Sequence, residues 1–337
     1  MIRLSFSWAD IMAQIVLGMA APHSGMLGKP GETWLEDGER DRKNPMLWYR
    51  KKHWSFADLV AERRHEGLAK YLTLEERVAR HAACRRAIEK LQTVYAEAKP
   101  DVAIIIGKDQ KEIFVDVTPT FALHTGDQIP NGPPQRTNYA PQEAIVYPGA
   151  PDLAQHILAH LKGEDFDIAT ISNLPPNVWM KNEVIVPHAY GFIFHEIMQN
   201  KVPPSVQVYL NAFYPPNQPS MRRSIDFGHA LSRAIESWDP FVRVALIASG
   251  GMSHFVCDEE FDRSMLDLFK AGDLDALEAV DDRYYQSGTS EIKLYAPVIA
   301  AMSERGCPMT LVDYVPCYRT EAGTGEGMGF MYWKPEE

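Results

Sequence analysis

Two histidines in this chain follow apolar runs directly and sit among small residues that allow a ligand close approach. His23 lies in Ala21-Pro22-His23-Ser24-Gly25, after Ile15 to Met19, and His254 ends Ser249-Gly250-Gly251-Met252-Ser253-His254, after Val242 to Ala248. A third polar loop, Gly107-Lys108-Asp109-Gln110-Lys111-Glu112, follows Val102 to Ile106. Imidazole ligates transition metals and carries protons near neutral pH. Loops at strand ends are also where open α/β sheets build their sites. A carboxylate, Glu291, stands behind Ser287-Gly288-Thr289-Ser290 at the head of an apolar helical stretch. Taken singly, each residue has a structural explanation: a strand-end histidine is commonly hydrogen-bonded, and an acid at a helix start is stabilised by the macrodipole. Together they mark a candidate site.

The elements that must position these residues alternate between strand and helix. Apolar runs at Ile15 to Met19, Val102 to Ile106, Ile168 to Ser172, Val206 to Phe213, Val242 to Ala248 and Met309 to Val315 read as strands. Several are unbroken Val/Ile/Ala stretches, as strands buried on both faces require. Helices are predicted from Thr73, where Glu76 completes a capping box, to before Pro100, and over Pro151 to Leu161 with Gly163 as the stop. Others cover Ser220 to Glu236, Glu259 to Lys270 and Glu291 to Ser303. The expected fold class is α/β, a single domain with a central, mostly buried sheet flanked by helices, plus an irregular N-terminal lobe.

That lobe, residues 26–72, places Trp34, Trp48 and Trp54 among charged residues without a clean period and has too few apolar residues for its own core. Residues 125–150 form a Pro-rich connection, and residues 1–11 read as an N-terminal extension ahead of the first strand. The 337 residues carry 34 Lys and Arg against 45 Asp and Glu, a net charge of −11, with no dense basic face for phosphate contacts. Nucleic acid is therefore not an expected partner. No run of about 18 apolar residues predicts a membrane span. The four cysteines make neither a CxxC pair nor a disulfide framework, so a cytoplasmic location is expected.

His23 in its small-residue turn, Gly250-Gly251-Met252-Ser253-His254, and Ser287-Gly288-Thr289-Ser290-Glu291 about 37 residues further on together resemble the class III extradiol ring-cleavage dioxygenases. The likeness is to the protocatechuate 4,5-dioxygenase catalytic subunit and its gallate and 3-O-methylgallate relatives. Pro119-Thr120-Phe121-Ala122 and Ile185-Val186-Pro187 extend it over roughly residues 13–332.

The resemblance implies a mononuclear iron(II) site of two histidines and one carboxylate, leaving positions for a catecholate and dioxygen. On that reading His23 and Glu291 are ligands and His254 is the acid/base. It also implies homo-oligomers, often dimers, acting on an aromatic diol with O2. The sequence departs from the family pattern at the other histidine ligand, where Asp109-Gln110 replaces Asp-His. In the methylgallate-like branch a glutamine also stands here. The third ligand is then Gln110, through its carbonyl oxygen, or His65 from the lobe. In mid-chain an Asp-His-Gly is missing, and Asn182 or His188 takes the histidine's place in the substrate pocket.

Two rivals stay open: cleavage of an aminophenol or another non-catechol, and a non-catalytic metal-binding paralogue of the same fold. Other motifs are weaker. Gly323 to Gly329 resembles a dinucleotide loop but opens no helix, and is expected to be a flexible loop feeding a last strand. His156 and His160 lie four apart without an HExxH, and no GxSxG elbow occurs. For a substrate carboxylate, Arg222, Arg223 and Arg319 are the candidates.

Overall fold

The computed structural model describes residues 12–132 and 143–335. The expected extension and the middle of the Pro-rich connection lie outside them. In chain order the strands begin with β1 (Gln14–Ala21), β2 (Leu47–Tyr49), β3 (Lys52–Trp54), β4 (Val102–Gly107), β5 (Phe121–His124), β6 (Gln128–Asn131) and β7 (Ile145–Pro148). Then come β8 (Ala169–Ile171), β9 (Ser205–Leu210), β10 (Arg243–Ser249), β11 (His254–Val256), β12 (Met309–Tyr318) and β13 (Thr324–Trp333). The α-helices are α1 (Trp34–Asp41), α2 (Phe56–Glu62), α3 (Leu74–Ala98), α4 (Pro151–Gly163) and α5 (His188–Phe192), followed by α6 (Met221–Glu236), α7 (Glu259–Ala271), α8 (Leu274–Ala279) and α9 (Ala296–Ser303).

Nine strands form one sheet in the order β11-β13-β1-β10-β4-β9-β5-β8, with β12 beside β13. Its centre, β1, β10, β4 and β9, is parallel. All six residues of β4 and all six of β9 are buried, because helices cover both faces. Side chains alternate between those faces with the two-residue strand period. Ile104, Ile106, Val244 and Leu246 pack with α4, α6 and α9, while Ala103, Ile105, Ala245 and Ile247 pack with α3 and Tyr190. Each buried Leu or Ile contributes about 1.5–3 kcal/mol.

The helix starts follow their caps. Thr73 accepts the Glu76 N–H and Ser220 accepts the Arg223 N–H. Helix α4 continues through Gly163 to its cap at Glu164. The lobe holds α1, the β2–β3 hairpin and α2, and its Leu47, Tyr49 and Leu59 pack against Val256 and Ala322 of the main body. No helix among the described residues is long and apolar enough to cross a membrane.

Two expectations are corrected. Glu291 does not open an α-helix: Ser287–Leu294 is a 3-10 segment and α9 begins only at Ala296. Pro297 has no N–H to continue a helical ladder from upstream, so it is accommodated in the first turn of a new helix. Gly323 to Gly329 is not a flexible loop either, since residues from Thr324 onward belong to β13, paired with β12 and β11. The glycines serve packing: at Gly325, with φ +147°, a Cβ would collide with the Cys317 carbonyl.

Candidate functional site

Neighbouring parallel strands deliver three loops to one end of the sheet. β1 leads to His23, β10 to the turn carrying His254, and β4 to Lys108 through Glu112. Glu291 arrives from the 3-10 segment, which packs tightly because Gly288 has no Cβ to strike the His254 ring and carbonyl. The result is a cavity of about 580 Å³ lined by His23, Gln110, His188, His254 and Glu291.

His23 is oriented by Ser249. The Ser249 hydroxyl donates to the Ala189 carbonyl at 2.6 Å, so its lone pair accepts from His23 Nδ1 at 3.1 Å. The proton is thereby fixed on Nδ1, and Nε2 presents a lone pair to the cavity. Burial, more than any neighbour, pushes the His23 imidazole down, which favours this neutral form.

Glu291 is held by one oxygen. Its Oε2 accepts the Gly251 N–H at 2.7 Å. Around Oε1 stand Lys108 Nζ at 2.5 Å, His254 Nε2 at 3.3 Å and His23 Nε2 at 3.5 Å. Neither Oε1 nor Lys108 Nζ makes an aligned hydrogen bond, although both are buried. Burial alone would raise the Glu291 carboxyl, but Lys108, then His254 and His23, hold it well below the ordinary carboxylate range.

His254 Nδ1 donates to the Met252 carbonyl at 2.9 Å, which leaves Nε2 to face Glu291. Burial acts to lower its pKa, yet Glu291 and Glu326 outweigh that and raise it. His188 has a different partner. Its Nδ1 lies 2.7 Å from Glu112 Oε2, and its backbone N–H donates to Glu112 Oε1. Glu112 offsets the burial and raises the His188 pKa, and the two form a buried hydrogen-bonded pair in one wall. Trp179 stacks on His188 at 5.5 Å, and His23 meets it edge-on at 4.8 Å.

Other candidates fall outside. His65 is solvent-exposed, with Nδ1 on the Glu62 carbonyl, and does not line the cavity. Asn182 is exposed in a positive-φ turn. Arg222 pairs with Glu278, and Arg223 reaches the Asp165 carbonyl. Asp109, beside Gln110, accepts the N–H groups of Glu112, Ile113 and Phe114, and so shapes the loop. Arg319 does line the cavity, with Nε on Asp41 at 2.9 Å.

Sequence reasoning singled out the loop containing Lys108 and Glu112 but missed both side chains. It also missed Trp179, Glu326 and the lobe residues Lys29, Asp37 and Arg40, all lining the cavity.

A divalent cation fits two corners of this arrangement. Glu291 Oε1 is a buried carboxylate oxygen that makes no aligned hydrogen bond, and the His23 Nε2 lone pair stands beside it. Among the described residues no three His, Cys, Asp or Glu side chains converge as ligands. Gln110, whose side-chain carbonyl is an oxygen donor, is among the other residues lining the cavity.

Residues 73–320 match the family described as the catalytic LigB subunit of aromatic ring-opening dioxygenase. That span contains Gln110, His188, His254 and Glu291, while His23 lies upstream of it. A solved structure, described as uncharacterized protein JW3007 from Escherichia coli K12, is 14% identical; the alignment covers 72% of this chain and 91% of that one with a TM-score of 0.44.

Proposed function

The chain belongs to the family of catalytic LigB subunits of aromatic ring-opening dioxygenases, and from that premise we propose an iron(II)-dependent extradiol dioxygenase that cleaves a catecholic acid with O2. The observation that carries this reading is the convergence of His23 Nε2 and His254 Nε2 on one oxygen of Glu291, at 3.5 and 3.3 Å. In this reading His23, Glu291 and Gln110 would hold the iron. Bound there, iron(II) supplies the open positions at which a diol and dioxygen can meet.

The remaining chemistry belongs to the chain itself. His254 takes a proton at Nε2 from a substrate hydroxyl and returns it later; Glu291 and Glu326, which raise its pKa, stabilise the proton once it is taken. His188, charged against Glu112, leaves Nε2–H to donate to a substrate oxygen, and Trp179 fixes its plane. The acid substituent is supported by cations on the cavity wall. Lys29 and Arg319 are paired with Asp37 and Asp41, whereas Arg40 has no acidic partner among the described residues. The proposed enzyme works in the cytoplasm as a homo-oligomer.

The test is oxygen uptake by anaerobically iron-loaded protein with gallate, 3-O-methylgallate, protocatechuate and simple catechols. Stoichiometric uptake with a yellow ring-opened product supports the proposal. No uptake with any diol, from protein that holds iron, would falsify it.

A further inference from the structure

Lys108 lies immediately beyond the end of β4, with 0% of its surface exposed. Its Nζ sits 2.5 Å from Glu291 Oε1, the oxygen that also faces His23 and His254. No hydrogen-bond partner satisfies this buried ammonium. Its other neighbour of matching chemistry is the Phe213 ring, whose centroid is 4.7 Å from Nζ. A cation of the chain itself thus stands where a metal would meet its carboxylate.

We propose that Lys108 is an internal competitor for the metal site. In the metal-free chain its ammonium neutralises Glu291, which burial would otherwise leave as an uncompensated charge. A divalent ion and an ammonium repel strongly at one buried oxygen. Metal entry therefore displaces Nζ toward the Phe213 face, and metal affinity is set by the exchange of one cation for the other. This inference rests on the metal reading given above.

The experiment is anaerobic titration of the full chain with Co(II), followed by its visible absorption bands, for the unaltered protein and for Lys108→Met. The variant is expected to bind Co(II) about tenfold tighter or more. Its metal-free form is expected to melt at lower temperature and to recover on Co(II) addition, because Glu291 loses its counter-charge. Lys108→Gln, which keeps a polar end without the charge, serves where the methionine variant does not fold. Stoichiometric uptake with equal or weaker affinity in the variant overturns this proposal alone. Uptake by neither protein overturns the metal reading and this proposal with it.

Discussion

His23 Nδ1 and Ser249 Oγ lie 3.1 Å apart, joined by a hydrogen bond whose direction is set elsewhere, since the serine proton is committed to the Ala189 carbonyl. That commitment makes Ser249 an acceptor, and the acceptor decides which nitrogen of His23 faces the cavity. Ser249 ends β10 and His23 follows its parallel neighbour β1, so sheet register positions the imidazole.

Replacing Ser249 by alanine is expected to free the His23 ring and tautomer and to weaken Co(II) binding roughly 10- to 100-fold, the usual effect of removing such a support. The fold should hold, because Ser249→Ala leaves a small buried residue in β10. Titration of the variant decides: unchanged affinity would mean that ring packing alone orients His23.

His254→Ala should lower kcat by about 10²- to 10⁴-fold while Co(II) uptake persists, since His254 is assigned to proton transfer and not to metal ligation. Parallel kinetic and metal-binding measurements separate the roles. Loss of metal together with activity would reassign His254 as a ligand, and full activity would remove it from the mechanism.

Much of this geometry is legible in the sequence, for a physical reason. Buried parallel strands announce themselves as unbroken apolar runs, and the residues just past their ends must share one edge of the sheet; this brings His23, His254 and the Gln110 loop together. What stays hidden is the reach of long side chains. Nothing in Gly107-Lys108-Asp109 tells that Lys108 turns inward to Glu291, or that Asp109 spends its oxygens on its own loop. Glu326 is hidden differently. Its glycine-rich surroundings resemble a loop, yet in β13 Gly325 admits the backbone of β12 and Gly327 admits the Asp262 and Tyr314 side chains at close approach.

Arg40, exposed on α1 at the cavity mouth, gives a test of substrate charge. Arg40→Met is expected to raise KM for a catecholic acid roughly two- to fivefold, the range of an exposed ion pair, with kcat unaltered. KM for an uncharged catechol should not move, and added salt should shrink the difference. An equal change for both substrates would show that Arg40 shapes the lobe and does not read the carboxylate.

Asp262, on α7, links the site to pH through stability. Its Oδ1 accepts the Ser253 N–H at 2.8 Å, and its Oδ2 accepts the hydroxyls of Ser253 and Tyr314, each at 2.6 Å. These donors favour the carboxylate, but burial outweighs them and pushes the group up to about 7. In the unfolded chain an aspartate titrates near ~3.9. Between those values the native state binds the extra proton, so stability falls as pH rises from about 4 to about 7 and levels off above, by an amount on the order of a few kcal/mol. Asp262→Asn cannot lose that proton. Relative to the unaltered protein, its melting temperature should therefore improve from pH 5 to about pH 7 and level off above. A constant difference across that range would mean that Asp262 is already ionised at pH 5 and that the three donors, not burial, govern it.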